Sequence, residues 1–202
     1  MDIIKKKRIL SLIFGSLIYL NVGFIYSWSN YIDPMEYTSS FNRSQTSVTF
    51  TVSIISFATG CFLVGWMLKR FSSEATIKIG AALMFAGLLL SSFVSNAAFL
   101  NITYGIITSL GFGFAYTANM TAVQAWFPDK IGTVSGVLLT LYGLGGTFWG
   151  AIAMKIVTIS NWMTAFRIVG IILGIAVFIS SNFIIPPKQD EIELLHNSIS
   201  VN

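Results

Sequence analysis

The sequence is poor in the residue types on which most catalytic and metal sites depend. Its 202 residues include one cysteine, Cys61, and one histidine, His196, so a single chain cannot form an internal disulfide or a cluster of Cys and His ligands. Charged residues make up only 10% of the chain. No Gly-Lys-Ser/Thr phosphate loop is present. The sequence therefore predicts no enzyme, no metal site and no cofactor.

Long apolar runs dominate what remains. Hydrophobic residues make up 54% of the chain and its mean hydropathy is +0.76, whereas a soluble domain of this size needs more charge. A helix rises about 1.5 Å per residue, so roughly 20 apolar residues cross a hydrocarbon layer of about 30 Å. Six runs meet this length and predict an all-α, polytopic membrane protein. The predicted transmembrane helices are Ile9–Ser29, Gln45–Leu68, Ile77–Val94, Phe99–Val123, Thr133–Ile156 and Met163–Ile185.

The connections between these runs carry positive charge on alternate sides. Nine of the twelve Lys and Arg residues fall on the side of the two termini, whereas Arg43, Lys155 and Arg167 fall on or near the other side. Because basic connections stay in the cytoplasm, this predicts that both termini are cytoplasmic. The expected location is the plasma membrane. Asp33 and Glu36 are predicted to lie in the first outer loop. The basic residues sit at helix ends, so the expected partner is the lipid bilayer and no nucleic acid.

The last predicted helix is followed by two prolines, Pro186 and Pro187, which are expected to end it because proline lacks a backbone donor and its ring clashes with the preceding turn. The chain is polar after them. We therefore predict a six-helix bundle over residues 1–187 and a polar cytoplasmic tail over residues 188–202. This tail is either the start of a central linker or an ordinary solvated terminus.

A set of glycines shares one face of the fifth predicted helix. At about 100° per residue, all five point within roughly 40° of one direction. They are Gly132, Gly136, Gly143, Gly146 and Gly150. Helices associate in lipid through close backbone approach, which glycine permits. The stripe is predicted to pack against a neighbouring helix, either statically or as a contact that slides during a conformational change.

Polar and aromatic residues inside the spans are candidates for the wall of a substrate cavity. On the second helix, Thr49, Ser53, Ser56 and Gly60 share a face that either lines a polar path or forms hydrogen bonds within the bundle. Tyr19, Tyr116 and Tyr142 lie nearer mid-bilayer than the usual interfacial aromatics. Asn119 either bonds to another helix or contacts substrate.

Charged side chains are missing from the middle of every predicted span. A charge at the bilayer centre costs roughly 3 kcal/mol or more and is usually kept for function. This chain therefore supplies no buried counter-ion for a charged substrate. Binding has to rest on hydroxyls, amides and aromatic faces, or on charges from another half.

Two connections resemble loops of the major facilitator superfamily. After the second span, Gly65 and Arg70 fit the pattern Gly-x-x-x-Asp-Arg-x-Gly, while Lys69 stands at the Asp position and Ser72 at the second Gly. After the fourth span, the run Trp126-Phe127-Pro128-Asp129-Lys130-Ile131-Gly132 is similar to the branch that holds oxalate/formate antiporters and monocarboxylate porters. The resemblance makes these positions candidates for gating loops: Gly65, Lys69, Arg70, Pro128, Asp129 and Lys130.

The resemblance covers residues 9–185, the first six-helix half of a fold that normally has twelve helices. It implies secondary active transport of a small organic anion by alternating access, with a second six-helix half as partner and the substrate bound between the halves. It also implies that Tyr26, Tyr116 and Tyr142 surround the anion. A homodimeric six-helix carrier and a membrane protein that does not transport, such as an inactive remnant or an assembly subunit, are the alternatives.

Overall fold

The computed structural model describes residues 2–39, 41–192 and 194; the end of the predicted tail, with His196, lies outside these residues. Six helices in the described part are long and apolar enough to cross a membrane, and that part contains no strand, which confirms the predicted fold class. The helices are α1 (Asp2–Val22, a 3-10 segment Gly23–Trp28, and Ser29–Thr38), α2 (Arg43–Met67), α3 (Ser73–Ser91), α4 (Ala97–Leu100, a π segment Asn101–Thr108, and Ser109–Gln124), α5 (Ile131–Ile159) and α6 (Trp162–Ser181).

The first helix extends beyond its predicted end at Ser29. It passes through the 3-10 segment and continues as an α-helix to Thr38. The placement of Asp33 and Glu36 in a loop was therefore wrong. Their carboxylates are compatible with a helix at the membrane surface because Arg43 pairs with both, at 2.8 Å and 2.6 Å.

The sixth helix ends earlier than predicted. α6 stops at Ser181 instead of Ile185. The next three residues form a tighter turn, in which each backbone N–H donates to the carbonyl three residues back at 3.0–3.2 Å. Ile185 precedes a proline, which disfavours helical backbone. Its carbonyl accepts a hydrogen bond of 2.8 Å from Trp126 Nε1 of the α4–α5 connection. This turn and the hydrogen bond between Trp126 and Ile185 thus mark the end of α6, and the two prolines come after them in the chain.

α1 contacts α4, α5 and α6. α4 also packs against α2 and α3, and α3 packs along α6. Many large apolar side chains remain exposed on the outside of the bundle, among them Phe62 and Ile55 of α2. Because lipid is as apolar as these side chains, such an exterior is expected of a membrane protein.

The two ends of the bundle are held by different polar contacts. At the end where α1 begins and the segment after α6 lies, Arg8 pairs with Asp129 at 2.6 Å and Lys7 pairs with Glu191 at 2.6 Å. At the opposite end, beside the Arg43 ion pairs, Trp162 Nε1 donates to Ser39 Oγ at 2.8 Å. The end with Lys7 and Glu191 is called the terminal end below.

Candidate functional site

Two aromatic residues of the candidate site are placed by a close crossing of α1 and α5. A Cβ added to Gly23 would lie 2.9 Å from the Cα of Gly145, so the two backbones touch and neither position has room for a side chain. The 3-10 segment that begins at Gly23 turns Tyr26 toward α5. The ring of Tyr26 consequently lies 5.0 Å from that of Tyr142.

A second glycine crossing brings α2 against α4. An added Cβ at Gly60 would lie 3.2 Å from the Cα of Gly113, and one at Gly113 would lie 2.9 Å from the Cα of Gly60. One turn away on each helix stand Phe57 and Tyr116, whose ring centroids are 5.4 Å apart. Small residues thus bring aromatic side chains of four helices toward one point.

These side chains form one aromatic cluster, made of Tyr19, Tyr26, Phe57, Tyr116 and Tyr142. Tyr116 and Tyr142 lie 5.1 Å apart, and Tyr19 lies 4.8 Å from Tyr116 and 6.0 Å from Tyr142. Such spacings and tilts are those that aromatic rings prefer. The tyrosines singled out in the sequence are therefore neighbours in space, although they come from three different helices.

The aromatic cluster reaches the outside of the bundle at Tyr26, which is 50% exposed. Tyr26 borders two grooves, one of about 420 Å³ between α1 and α5 and one of about 480 Å³ between α1 and α2. The first groove is also lined by Asn30, Gly143 and Thr147. The surface around Tyr26 is thus concave, with aromatic, hydroxyl, amide and backbone groups on its walls.

Polar groups of this surface are neutral. The groove next to α5 offers the phenol of Tyr26, the amide of Asn30 and the hydroxyl of Thr147. In the part of the chain that the structure describes, no acidic or basic side chain lines either groove. Among the described residues, no group of three or more His, Cys, Asp or Glu is placed to hold a metal ion. The surface can offer hydrogen-bond donors and ring edges to a ligand, but no countercharge.

The hydroxyl face of α2 lies inside the bundle. Thr49, Ser53 and Ser56 are buried: the Thr49 hydroxyl donates to Asn101 Oδ1 of α4 at 2.5 Å, and Ser53 Oγ donates to the Phe50 carbonyl of its own helix at 2.7 Å. Thr49 and Ser53 therefore form hydrogen bonds within the bundle, and a contribution of Ser53 and Ser56 to a substrate path stays a prediction. Neither Ser53 nor Ser56 lines the grooves beside Tyr26.

Two more candidates make hydrogen bonds between helices. Asn119 is fully buried, and its Nδ2 donates to the Gly15 carbonyl of α1 at 2.9 Å. Tyr19 is also fully buried and donates from its hydroxyl to the Tyr116 carbonyl at 3.1 Å. Both bonds tie α1 to α4, so Tyr19 supports the aromatic cluster from behind and Tyr26 forms its exposed edge.

The predicted glycine stripe of α5 has two different environments. An added Cβ at Gly146 would lie 2.7 Å from Tyr26 Cβ, and one at Gly150 would lie 2.5 Å from Asn30 Nδ2, so these two glycines pack against α1. A Cβ at Gly132, Gly136 or Gly143 would meet nothing within 4 Å, and within this chain Gly145 makes the tight contact with α1 instead. Because these three glycines face the outside of the bundle, their role in helix packing stays a prediction.

The candidate gating loops both lie at the terminal end. Asp129 pairs with Arg8, whose guanidinium also lies 4.6 Å from the Phe127 ring centroid. In the α2–α3 connection Arg70 lies over the Trp66 ring, and Ser72 caps α3 by accepting a hydrogen bond of 3.1 Å from Ala75 N–H. The remaining members, Gly65, Lys69, Pro128 and Lys130, are on the surface, Gly65 with nothing within 4 Å of an added Cβ.

Phe57, Gly23 and Asn30 belong to the site but were not predicted from the sequence. Phe57 lies on an α2 rich in apolar residues, where nothing local separates it from a lipid-facing phenylalanine. Gly23 precedes Tyr26 by three residues, a spacing that would have indicated a close approach next to a predicted aromatic. Asn30 was not considered because the first predicted helix ended at Ser29, one residue before it.

The fold and the site together define a class of protein: a six-helix membrane bundle with a neutral, aromatic-lined surface. Comparison with known proteins identifies the family within this class. The sequence pattern of the Major Facilitator Superfamily matches residues 9–196. The chain belongs to this superfamily and is an integral membrane protein.

Its relatives are transporters. Monocarboxylate transporter 12 of Xenopus laevis is 26% identical over 138 residues, which cover 67% of this chain and 30% of that protein. Monocarboxylate transporter 10 of Homo sapiens is 37% identical over 78 residues, 39% of this chain and 15% of that protein. The uncharacterised MFS-type transporter YhjX of Escherichia coli (strain K12) is 24% identical over 141 residues, 70% of this chain and 35% of that protein. The matched region thus spans about a third or less of these relatives.

Proposed function

We propose that this chain forms one six-helix half of a secondary transporter that moves a small organic anion, of the monocarboxylate or oxalate/formate type, by alternating access. A second six-helix half faces the surface around Tyr26 and closes the substrate cavity. Both termini are cytoplasmic in this proposal, and the protein lies in the plasma membrane. The observation that carries it is the aromatic cluster, which gathers side chains from α1, α2, α4 and α5 and opens on the outside of the bundle at Tyr26.

The chemistry of this surface suits a small carboxylate only in part. Phenol hydroxyls and the positive edges of aromatic rings can receive a carboxylate, and the grooves are concave enough to surround it. However, none of the described residues that line the grooves is a cation, and an anion taken out of water needs a countercharge. A second half that brings a basic residue to Tyr26 would supply it, so the neutral surface itself favours a bipartite site.

The open face of α5 gives the second half a place to pack. Gly136, Thr140, Gly143 and Thr147 are exposed along one side of the helix, next to the groove at Tyr26. Small residues allow two helices in lipid to approach closely, and the contact can slide because no large side chains interlock. The names of the relatives, two of them monocarboxylate transporters, support the substrate class.

Reconstitution tests the proposal. The purified chain is placed in liposomes alone and together with a cognate second six-helix half, and the uptake of labelled formate, oxalate and lactate is compared with protein-free vesicles. We expect uptake only when both halves are present. Uptake by the chain alone, with a dimeric mass in detergent, would identify a homodimeric carrier, and absence of uptake and of anion binding in every combination would identify a protein that does not transport.

A further inference from the structure

A pocket separate from the aromatic cluster lies at the terminal end of the bundle. It has a volume of about 180 Å³ and forms where the start of α1, the α4–α5 connection and the segment after α6 meet. Apolar side chains make its wall and charged ones its rim, namely Trp126, Phe183 and Pro186 on the wall and Lys7, Lys188 and Glu191 on the rim. The proposed transport function uses none of these residues.

The wall of the pocket is held in place by specific contacts. Trp126 is only 2% exposed, and its indole nitrogen donates to the Ile185 carbonyl at 2.8 Å. Phe183 stacks on Phe14 of α1, with ring centroids 3.9 Å apart and planes within 8°. The cavity is thus a built part of the fold, since its wall cannot collapse without breaking these contacts.

The rim of the pocket already binds an anion, namely the side-chain carboxylate of Glu191 in the segment after α6. Glu191 Oε1 accepts from Lys7 Nζ at 2.6 Å, and Glu191 Oε2 accepts from the backbone N–H of Lys188 at 2.9 Å. Both carboxylate oxygens are therefore engaged by donors from two segments far apart in sequence. This position therefore binds a carboxylate through two donors.

The surroundings combine positive charge with exposed apolar surface. The segments of the terminal end carry nine of the twelve Lys and Arg residues of the chain and six of its eight Asp and Glu residues, so their formal charge remains positive, at +3. Phe183 and Ile185, which line the pocket, remain 42% and 57% exposed toward the outside of the bundle. Cations at the membrane surface next to exposed apolar side chains match the two parts of a phospholipid, its headgroup and its acyl chains.

We propose that this pocket binds the phosphate headgroup of an anionic phospholipid from the adjoining leaflet, at the position between Lys7 and Lys188 that Glu191 occupies in the structure. The acyl chains then lie against Phe183 and Ile185. A phosphate diester keeps its negative charge and offers acceptor oxygens to the same donors. The Glu191 carboxylate is thereby an internal competitor, and lipid binding displaces the tail.

Lipid retention by the whole chain tests this proposal. The chain is purified from equimolar phosphatidylglycerol and phosphatidylcholine vesicles, and the bound lipids are counted by native mass spectrometry. We expect phosphatidylglycerol to be retained preferentially. Lys7→Gln should lower this preference about tenfold, the effect of losing one hydrogen bond to a charged group. Glu191→Gln should raise it because the competing carboxylate is gone.

The matched control is Lys130→Gln, which removes one exposed cation from the same end but outside the pocket. It should leave the preference unchanged, and thermal unfolding should show that all variants fold alike. Equal retention of the two lipids, or an equal loss in Lys7→Gln and Lys130→Gln, would overturn the proposal. Release of phosphatidylglycerol by inorganic phosphate would assign the pocket to a soluble phosphate and overturn the lipid assignment.

Discussion

Gly23 of α1 and Gly145 of α5 touch backbone to backbone, and a Cβ added to either would lie 2.9 Å from the Cα of the other. The crossing is directly next to the candidate site, because Tyr26 and Tyr142 stand one turn away with ring centroids 5.0 Å apart. Bundle packing and site geometry therefore depend on the same contact. A change that separates α1 from α5 will alter both.

Gly145→Ala is accordingly expected to destabilise the bundle. Its Cβ would press on the backbone of α1, and overpacking of this kind typically costs about 1–3 kcal/mol. Thermal unfolding in detergent measures the effect. The matched control is Gly143→Ala on the same helix, where an added Cβ meets nothing within 4 Å. This control should be neutral or more stable by up to about 1 kcal/mol, since Ala favours the helix; equal losses in the two variants would contradict the assigned crossing.

The fold class and part of the site were accessible from the sequence because they depend on local properties. Runs of apolar residues define six spans regardless of how the helices pack. Tyr19, Tyr116 and Tyr142 could be singled out because a polar-tipped aromatic near mid-bilayer is unusual. Their meeting in one cluster was not deducible from these local properties, since it depends on which helices are neighbours; the family resemblance alone implied that Tyr116 and Tyr142 lie together.

Helix faces were harder to assign, because a periodic pattern shows which residues share a face but not what that face meets. The hydroxyls of Thr49 and Ser53 share a face, yet Thr49 bonds to Asn101 of α4 while Ser53 bonds to a carbonyl of its own helix. The glycines of α5 share a face as well, yet Gly150 packs on α1 while Gly136 faces outward. The helix is long enough for one stripe to cross from a packed to an open environment.

Tyr26→Phe is expected to weaken anion binding without loss of stability. The hydroxyl is at the half-exposed edge of the aromatic cluster, and loss of one hydrogen bond to a charged ligand costs about 1.5–3 kcal/mol, or roughly 10–150-fold in Kd. Titration of formate or lactate into the assembled transporter measures it. Tyr37→Phe, at a 90% exposed residue at the opposite end, is the control and should bind normally. Equal affinity in the two variants would remove Tyr26 from the site.

Gly136→Leu and Gly143→Leu should leave the six-helix bundle folded but prevent its assembly with a second half. Their added side chains enter open space in this chain but would hold a partner helix away. Co-purification of a tagged second half reports assembly, and thermal unfolding reports folding. Ala82→Leu, in the groove between α3 and α6, is the control. If it blocks assembly as strongly as the α5 substitutions do, the α5 face is not the specific contact.

The ion pair of Arg8 and Asp129 is expected to fasten the α4–α5 connection to α1. Both side chains are about a quarter exposed or less, and the pair is 2.6 Å long, so a coupling energy of about 0.5–1 kcal/mol is expected. A double-mutant cycle with Arg8→Gln and Asp129→Asn measures it through thermal unfolding. Arg70→Gln, whose guanidinium lies over Trp66 at the same end, should show no coupling with Asp129→Asn. A coupling near zero for the first pair would refute this role.

Release of the tail in acid follows from the environment of Glu191. The hydrogen bond from Lys7, followed by that from the Lys188 N–H, holds the pKa of the Glu191 carboxyl below its ordinary value of 4.5. The pKa of the Glu191 carboxyl is therefore lower when the tail is attached to the bundle than when it is released. Such a carboxyl stabilises the attached tail at pH values above its ordinary pKa, and this stabilisation disappears as the pH falls through the lowered pKa. Two spin labels are introduced by Lys130→Cys and Leu194→Cys in a Cys61→Ser background, and the distance between them is measured in detergent without anionic lipid. We expect a narrow distribution of this distance at neutral pH and a broad one in acid. With Glu191→Gln added, the distance distribution should be the same at every pH. If the distribution of the protein that keeps Glu191 stays narrow far below pH 4.5, another contact holds the tail.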